Sequence, residues 1–192
     1  MKLSIHQPNF FPWFPFFQKM FEVDVFVLLN HAQFVKGGYH NRFSIGEKWY
    51  TMSVDQTSGF VPIKDKQYKK PAHDFQAIIR KLPQYEPILD IFYPFLSIDM
   101  ATTNGLIIRR IKELFPFSTK IVDDYSTKLE ATDRLVDICK KYNADEYLAG
   151  PSGVNYLELH KFERAGIKIS FQDTNVTIKR SILEIIHEWK LI

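Results

Sequence analysis

The strongest constraint on this chain lies at its beginning, where two short apolar runs, residues 3–5 and 24–29, are separated by little more than one helix. His6-Gln7-Pro8 stops the first run, because proline cannot donate to a strand ladder and restricts the residue before it. The second run, DVFVLL, is apolar and β-branched, the pattern of a strand covered on both faces. Between them Phe14–Phe21 follows Pro12 and reads as a short buried helix. Two buried strands joined by a helix are normally parallel, so the opening is β-loop-α-β and the expected class is α/β.

The remainder extends that pattern. Residues 42–45 and 48–54 flank Gly46-Glu47, a turn signal, which predicts a β-hairpin after the second strand. From about 71 to 115 the spacing is helical, with Phe75, Ile78, Ile79 and Leu82 on one face and Leu106, Ile107, Ile111 and Leu114 on another. Pro83, Pro87 and Pro94 divide this helical insertion into several pieces. Residues 120–122 form a third buried strand, followed by a helix over 130–142 that turns Leu135, Ile138 and Cys139 inward. Residues 146–148 form a fourth strand. A helix is expected from the 150–153 loop through Phe162, a fifth strand over 167–171 after Gly166, and a closing helix over 181–189. The whole is a Rossmann-like, mostly parallel sheet with helices on both faces, and 192 residues suit one domain spanning 1–192.

Composition removes several function classes. A net charge of +3 is too small for a nucleic-acid groove, and the basic run KDKQYKK at 64–70 reads as a solvated loop. One cysteine, Cys139, cannot form an intrachain disulfide, and no stretch approaches the roughly 18–20 apolar residues of a transmembrane segment. A cytoplasmic, soluble protein is expected, and no cofactor can be named. The six histidines show no paired ligand spacing, so no metal site is expected. The aromatic run 10–17 is either a packed wall or a sticky surface.

In open parallel sheets ligands bind where loops leave the carboxyl ends of the strands. That rule selects His6, Gln7 and Asn9 after the first strand and Asn30, His31 and Gln33 after the second. It adds Asp123, Asp124, Tyr125 and Ser126 after the third, and Gly150, Ser152 and Gly153 after the fourth. His6 is a candidate general base, since imidazole titrates near neutral pH. The alternative is that it only bonds a loop carbonyl. His31 is a second candidate base. Asn41 and Arg42 precede the hairpin, where a guanidinium suits a carboxylate or phosphate and Lys36 could assist. The 150–153 loop opens a helix and could receive an anion, with Tyr156 a turn further on.

Several segments together resemble the WbqC-like protein family: HQPNFFPWFPFFQKM, VDVFVLLNHAQF with NRFSI, KWYTMSV, TDRLVDICKKYNADEYLAGPSGVNYL and FERAGIKISFQD. The resemblance runs nearly end to end. It implies a role in bacterial O-antigen or related surface polysaccharide biosynthesis, with transfer of glycine or another acyl group to an amino sugar or its nucleotide-linked form. The positions that match the family are His6, Gln7, Gln33, Lys36, Asn41, Arg42, Ser152 and Tyr156. The chain departs at Pro15, at Asn30-His31 where an acidic pair is expected, at Ser53, and at Thr174-Asn175-Val176. A fainter likeness to adenylate-forming nucleotidyltransferases of the pantothenate synthetase type rests on His6, Gln33-Phe34 and 150–153.

The expected activity is therefore a transferase with His6, Gln7 and Gln33 as catalytic residues and a sugar or nucleotide-sugar substrate. An ATP-dependent ligase and a non-catalytic sugar-nucleotide binding subunit are the alternatives, and a homo-oligomer remains compatible with each.

Overall fold

A computed structural model describes residues 1–56, 60–173, 175 and 178–192. In chain order the elements are β1 (Lys2–His6), α1 (Phe14–Phe21), β2 (Val25–Leu28), β3 (Arg42–Ile45), β4 (Lys48–Thr51), α2 (Pro71–Lys81), α3 (Glu86–Asp90) and α4 (Met100–Glu113). They continue with β5 (Lys120–Asp123), α5 (Ala131–Lys141), β6 (Glu146–Ala149), α6 (Leu159–Arg164), β7 (Lys168–Phe171) and α7 (Ile182–Glu188). Backbone packing groups them into two units. One comprises Met1–His6, Pro15–Leu29 and Phe117–Ile178, and the other Gln7–Phe14, Asn30–Pro116 and Lys179–Ile192.

The first unit is a parallel sheet of order β5-β2-β1-β6-β7. Chain order reverses at β1: β2 and β5 lie to one side, β6 and β7 to the other, as in doubly wound folds. Leu3, Ile5, Val25 and Val27 pack on one face with Val136, Ile138 and Cys139 of α5 and Phe162 of α6. Burial pushes the Cys139 thiol up to about 12, which fits a core side chain. Because side chains alternate along a strand, Ser4 and Phe26 point to the opposite face. There α1 sets Phe16 at 5.0 Å from the Phe26 ring. Helices therefore cover both faces of the sheet, as the buried apolar strands require.

Helix ends follow from local chemistry. Asn143 and Gly166 take left-handed backbone (φ 54° and 70°) just past α5 and α6. Asp99 caps α4 through the Thr102 amide, and Ser181 with Glu184 forms a capping box on α7. The helix expected to follow the 150–153 loop and run through Phe162 is instead two pieces, a 3-10 turn Pro151–Asn155 and α6. Gly153 and Val154 are poor helix formers, and Tyr156 leaves helical backbone at φ −138°.

The second unit contains the β3–β4 hairpin, the helices of the insertion and α7. Its aromatic run is mostly a packed wall: Phe10, Phe11 and Phe14 are buried, whereas Trp13 is exposed. Phe11 carries φ 43°, a conformation costly for a non-glycine residue. Rings of Phe10, Phe43 and Phe92 hold it at 5.0, 5.3 and 5.1 Å.

Candidate functional site

In the sheet unit, β1, β2, β5 and β6 are parallel and end on one edge. His6 is the last residue of the central strand. Its carbonyl accepts from the Leu29 amide at 2.8 Å, and its half-buried ring meets Phe16 edge-on at 4.8 Å. Backbone pairing and a helix-borne aromatic thus position this imidazole. On the same helix Lys19 is buried, with Nζ 3.4 Å from the Ile5 carbonyl and 5.7 Å from the Phe26 ring. Removal from water lowers this amine to about 7, so neutral and charged forms coexist near physiological pH.

The other two loops of this edge are largely committed to their own support. Asp124 forms an ion pair with Arg134 of α5, Tyr125 donates to Asp137 at 2.7 Å, and Ser126 is exposed. In the 150–153 loop, the Gly153 amide donates to the Gly150 carbonyl at 2.9 Å. A Cβ at Gly153 would lie 2.9 Å from Leu157 Cδ1 and 3.1 Å from Ala149 Cβ, so a side chain there would crowd both neighbours. Ser152 and Tyr156 are exposed.

The second unit receives the chain at Gln7 and again at Asn30. Gln7 is half-buried and Asn9 buried. The 30–34 segment lies along 61–64: Lys64 and Ile63 amides donate to the Asn30 and Ala32 carbonyls, both at 2.9 Å, and the Phe34 amide to Val61 at 2.8 Å. Asn30 and His31 are half-buried within it, while Gln33 and Lys36 are exposed. Asn41 donates to the Met52 carbonyl at 2.7 Å, which ties the segment before β3 to the one after β4. Arg42 donates from Nε to the Gly38 carbonyl at 3.1 Å and from Nη2 to that of Gly37, and its guanidinium lies 4.2 Å from the Trp49 ring centre. Two of its donor groups therefore serve the protein's own backbone.

Beneath these segments is a buried polar cluster. Asn104 of α4 donates to the carbonyls of Pro8 at 3.0 Å and His40 at 2.8 Å, and Tyr68 donates to Asn104 Oδ1 at 2.7 Å. The His40 ring bonds the Pro8 carbonyl, and its Nδ1 has no partner; burial lowers this imidazole to about 4. Among the described residues no three of His, Cys, Asp and Glu converge as metal ligands would.

Comparison with known proteins places this arrangement in a family, since the model of the WbqC-like protein family matches residues 7–180. The chain belongs to the WbqC-like protein family. A relative from Mycobacterium tuberculosis, the uncharacterised protein Rv1507c, is 27% identical over 190 residues, covering 90% of this chain and 82% of that protein. Among solved structures, a zinc-bound variant of AdcAII from Streptococcus pneumoniae aligns over 97% of this chain and 95% of its own at 9% identity and TM-score 0.24, too remote to carry an argument.

Seen as a WbqC-like chain, the polar positions read from the sequence fall into two groups by their surroundings. His6 has an imidazole set in place at a strand end; Asn41 bonds the Met52 carbonyl beyond β4, and Arg42 bonds carbonyls of the loop before β3. Lys19, His40, Tyr68 and Asn104 are additions from the structure. For Lys19 a signal existed: three residues after Phe16, it shares that residue's buried helix face. His40, Tyr68 and Asn104 meet only through folding, across up to 64 residues. In this WbqC-like chain no helix of the described residues is long and apolar enough to cross a membrane.

Proposed function

We propose that this WbqC-like protein is an acyl or aminoacyl transferase that modifies an amino sugar, or its nucleotide-linked form, in bacterial surface polysaccharide synthesis. The observation that carries the reading is His6 itself, an oriented imidazole at the carboxyl end of the central strand of a doubly wound sheet. His6 takes the proton from the sugar amine as its nitrogen attacks the acyl carbonyl. Gln7, next in the chain, donates to the developing oxyanion, and the donor's leaving group departs with the bonding electrons. The test is single-turnover acylation of UDP-linked amino sugars with acyl-coenzyme A or aminoacyl donors. His6→Ala should lower the rate by about 10²–10⁴-fold with nucleotide-sugar binding retained. Full activity of His6→Ala removes the assignment.

A second reading, a sugar-nucleotide binding subunit without turnover, draws on positions 30 and 31, where this chain has Asn and His and the family resemblance leads one to expect an acidic pair. Tight binding of a nucleotide sugar with no product from any donor would establish it.

A further inference from the structure

The outer face of the β3–β4 hairpin presents aromatic surface to solvent. In the antiparallel register Ser44 lies opposite Trp49 and Arg42 opposite Thr51, so these four side chains share one face. Phe43 and Tyr50 occupy the other face, their rings stacked at 5.5 Å, with Phe43 buried against Phe10 and Phe11. The hairpin thus packs into the aromatic core through this second face. On the outer face Trp49 is 46% exposed, and Tyr39 beside it is 59% exposed, with ring centres 5.7 Å apart and planes inclined at 44°.

These rings are held in place. The Arg42 guanidinium backs the indole at 4.2 Å and is itself pinned to the carbonyls of Gly37 and Gly38. The loop is tied across its own turn as well, where the Gly38 amide donates to the Val35 carbonyl at 2.9 Å. A preset ring pair binds a ligand at a smaller entropic cost than one that must order on contact.

We infer that Tyr39 and Trp49 form a platform for a pyranose ring. The chemistry of the face selects this occupant. A pyranose offers an apolar C–H face that packs on an aromatic ring and a rim of hydroxyls. Here the indole is flanked by the Ser44 and Thr51 hydroxyls, the Tyr39 phenol and Arg42 Nη1. No carboxylate occupies positions 42, 44, 49 or 51, so the face does not attract cations. Arg42 gives its side-on pair, Nε and Nη2, to backbone carbonyls, so Nη1 is left to face a hydroxyl at the rim of the ring. Two rings also fall far short of the about 800 Å² per partner of a stable protein interface. The inference extends the reading of the protein as a sugar-modifying enzyme by giving the sugar a place on the hairpin, and it rests on that reading only for the identity of the sugar.

The experiment uses the indole Nε1–H signals of Trp13, Trp49 and Trp189 in the ¹⁵N-labelled full chain, assigned by Trp→Phe variants. The probes are methyl N-acetyl-β-D-glucosaminide and UMP, titrated separately. The expected result is a saturable shift of the Trp49 signal by the glycoside at millimolar concentration and none by UMP. Trp49→Phe should retain glycoside binding, followed by chemical-shift changes in the Arg42 side chain. Trp49→Ala and Tyr39→Ala should each weaken it at least tenfold while leaving the amide spectrum of α4 unchanged. A Trp49 signal that shifts with UMP alone, with protein concentration alone, or with neither probe overturns the platform. Repeating the glycoside titration on His6→Ala separates the two readings: loss of turnover with the Trp49 shift intact is expected, and the platform stands even if no acyl donor supports turnover.

Discussion

The Asn104 side chain donates to the Pro8 carbonyl at 3.0 Å, a bond that spans 96 residues of sequence. The same amide reaches the His40 carbonyl, and Tyr68 donates to its oxygen, so one side chain from α4 joins the segment after β1 to the segment before β3. Replacing it with Ala removes three hydrogen bonds from a dry interior and leaves Pro8, His40 and Tyr68 only the bonds they make with one another. Asn104→Ala should lose on the order of 2–4 kcal/mol, read as a lower urea midpoint with an unchanged slope. A midpoint equal to that of the parent would refute the clamp.

His40 makes stability depend on acid. Burial holds its imidazole at about 4 against an ordinary value of 6.5, so between these values the unfolded chain binds a proton that the folded chain does not. Stability should therefore be fully present above pH 6.5 and fall as the pH drops toward 4, by on the order of 3 kcal/mol. His40→Gln keeps a donor for the Pro8 carbonyl and removes the proton. Urea unfolding at pH 7 and 4.5 should show a shallower acid loss in this variant.

Lys19 acts in the opposite pH range. Desolvation lowers its amine from 10.5 to about 7, so the unfolded chain binds the extra proton between those values and stability rises as the pH climbs through them. Below about pH 7 the folded protein also carries the charge, and the cost levels off. Lys19→Met should raise the melting temperature at pH 7, by more than it does at pH 10. An equal gain at both would show that the amine does not titrate in the fold.

Position 153 has little space for a side chain. A methyl group there meets Leu157, Ala149 and Phe171 at 2.9, 3.1 and 3.3 Å. Gly153→Ala should cost about 1–3 kcal/mol in denaturant unfolding, whereas an anion-binding role alone would leave stability unchanged and alter only ligand affinity.

Much of the frame was legible along the chain because it depends on near neighbours. DVFVLL reads as a doubly covered strand, Gly46-Glu47 marked the hairpin turn, and the prolines at 83, 87 and 94 divided the insertion. The stretch after the fourth strand was read less well: the 150–153 loop opens a 3-10 turn instead of the helix expected through Phe162.

The opening residues also placed His6 at a strand end beside a loop of hydrogen-bonding groups, and periodicity together with proline chemistry sufficed for that. Which polar side chains were already spent was decided by tertiary structure. Arg42 bonds two carbonyls and stacks on Trp49, Asn41 ties the two ends of the hairpin, and Asn104 brings Pro8 and His40 together. Hydrogen bonds and desolvation depend on distances set by chain segments remote in sequence. A buried lysine at about 7 and a surface tryptophan backed by a guanidinium are therefore properties of the packed chain, not of any local stretch of it.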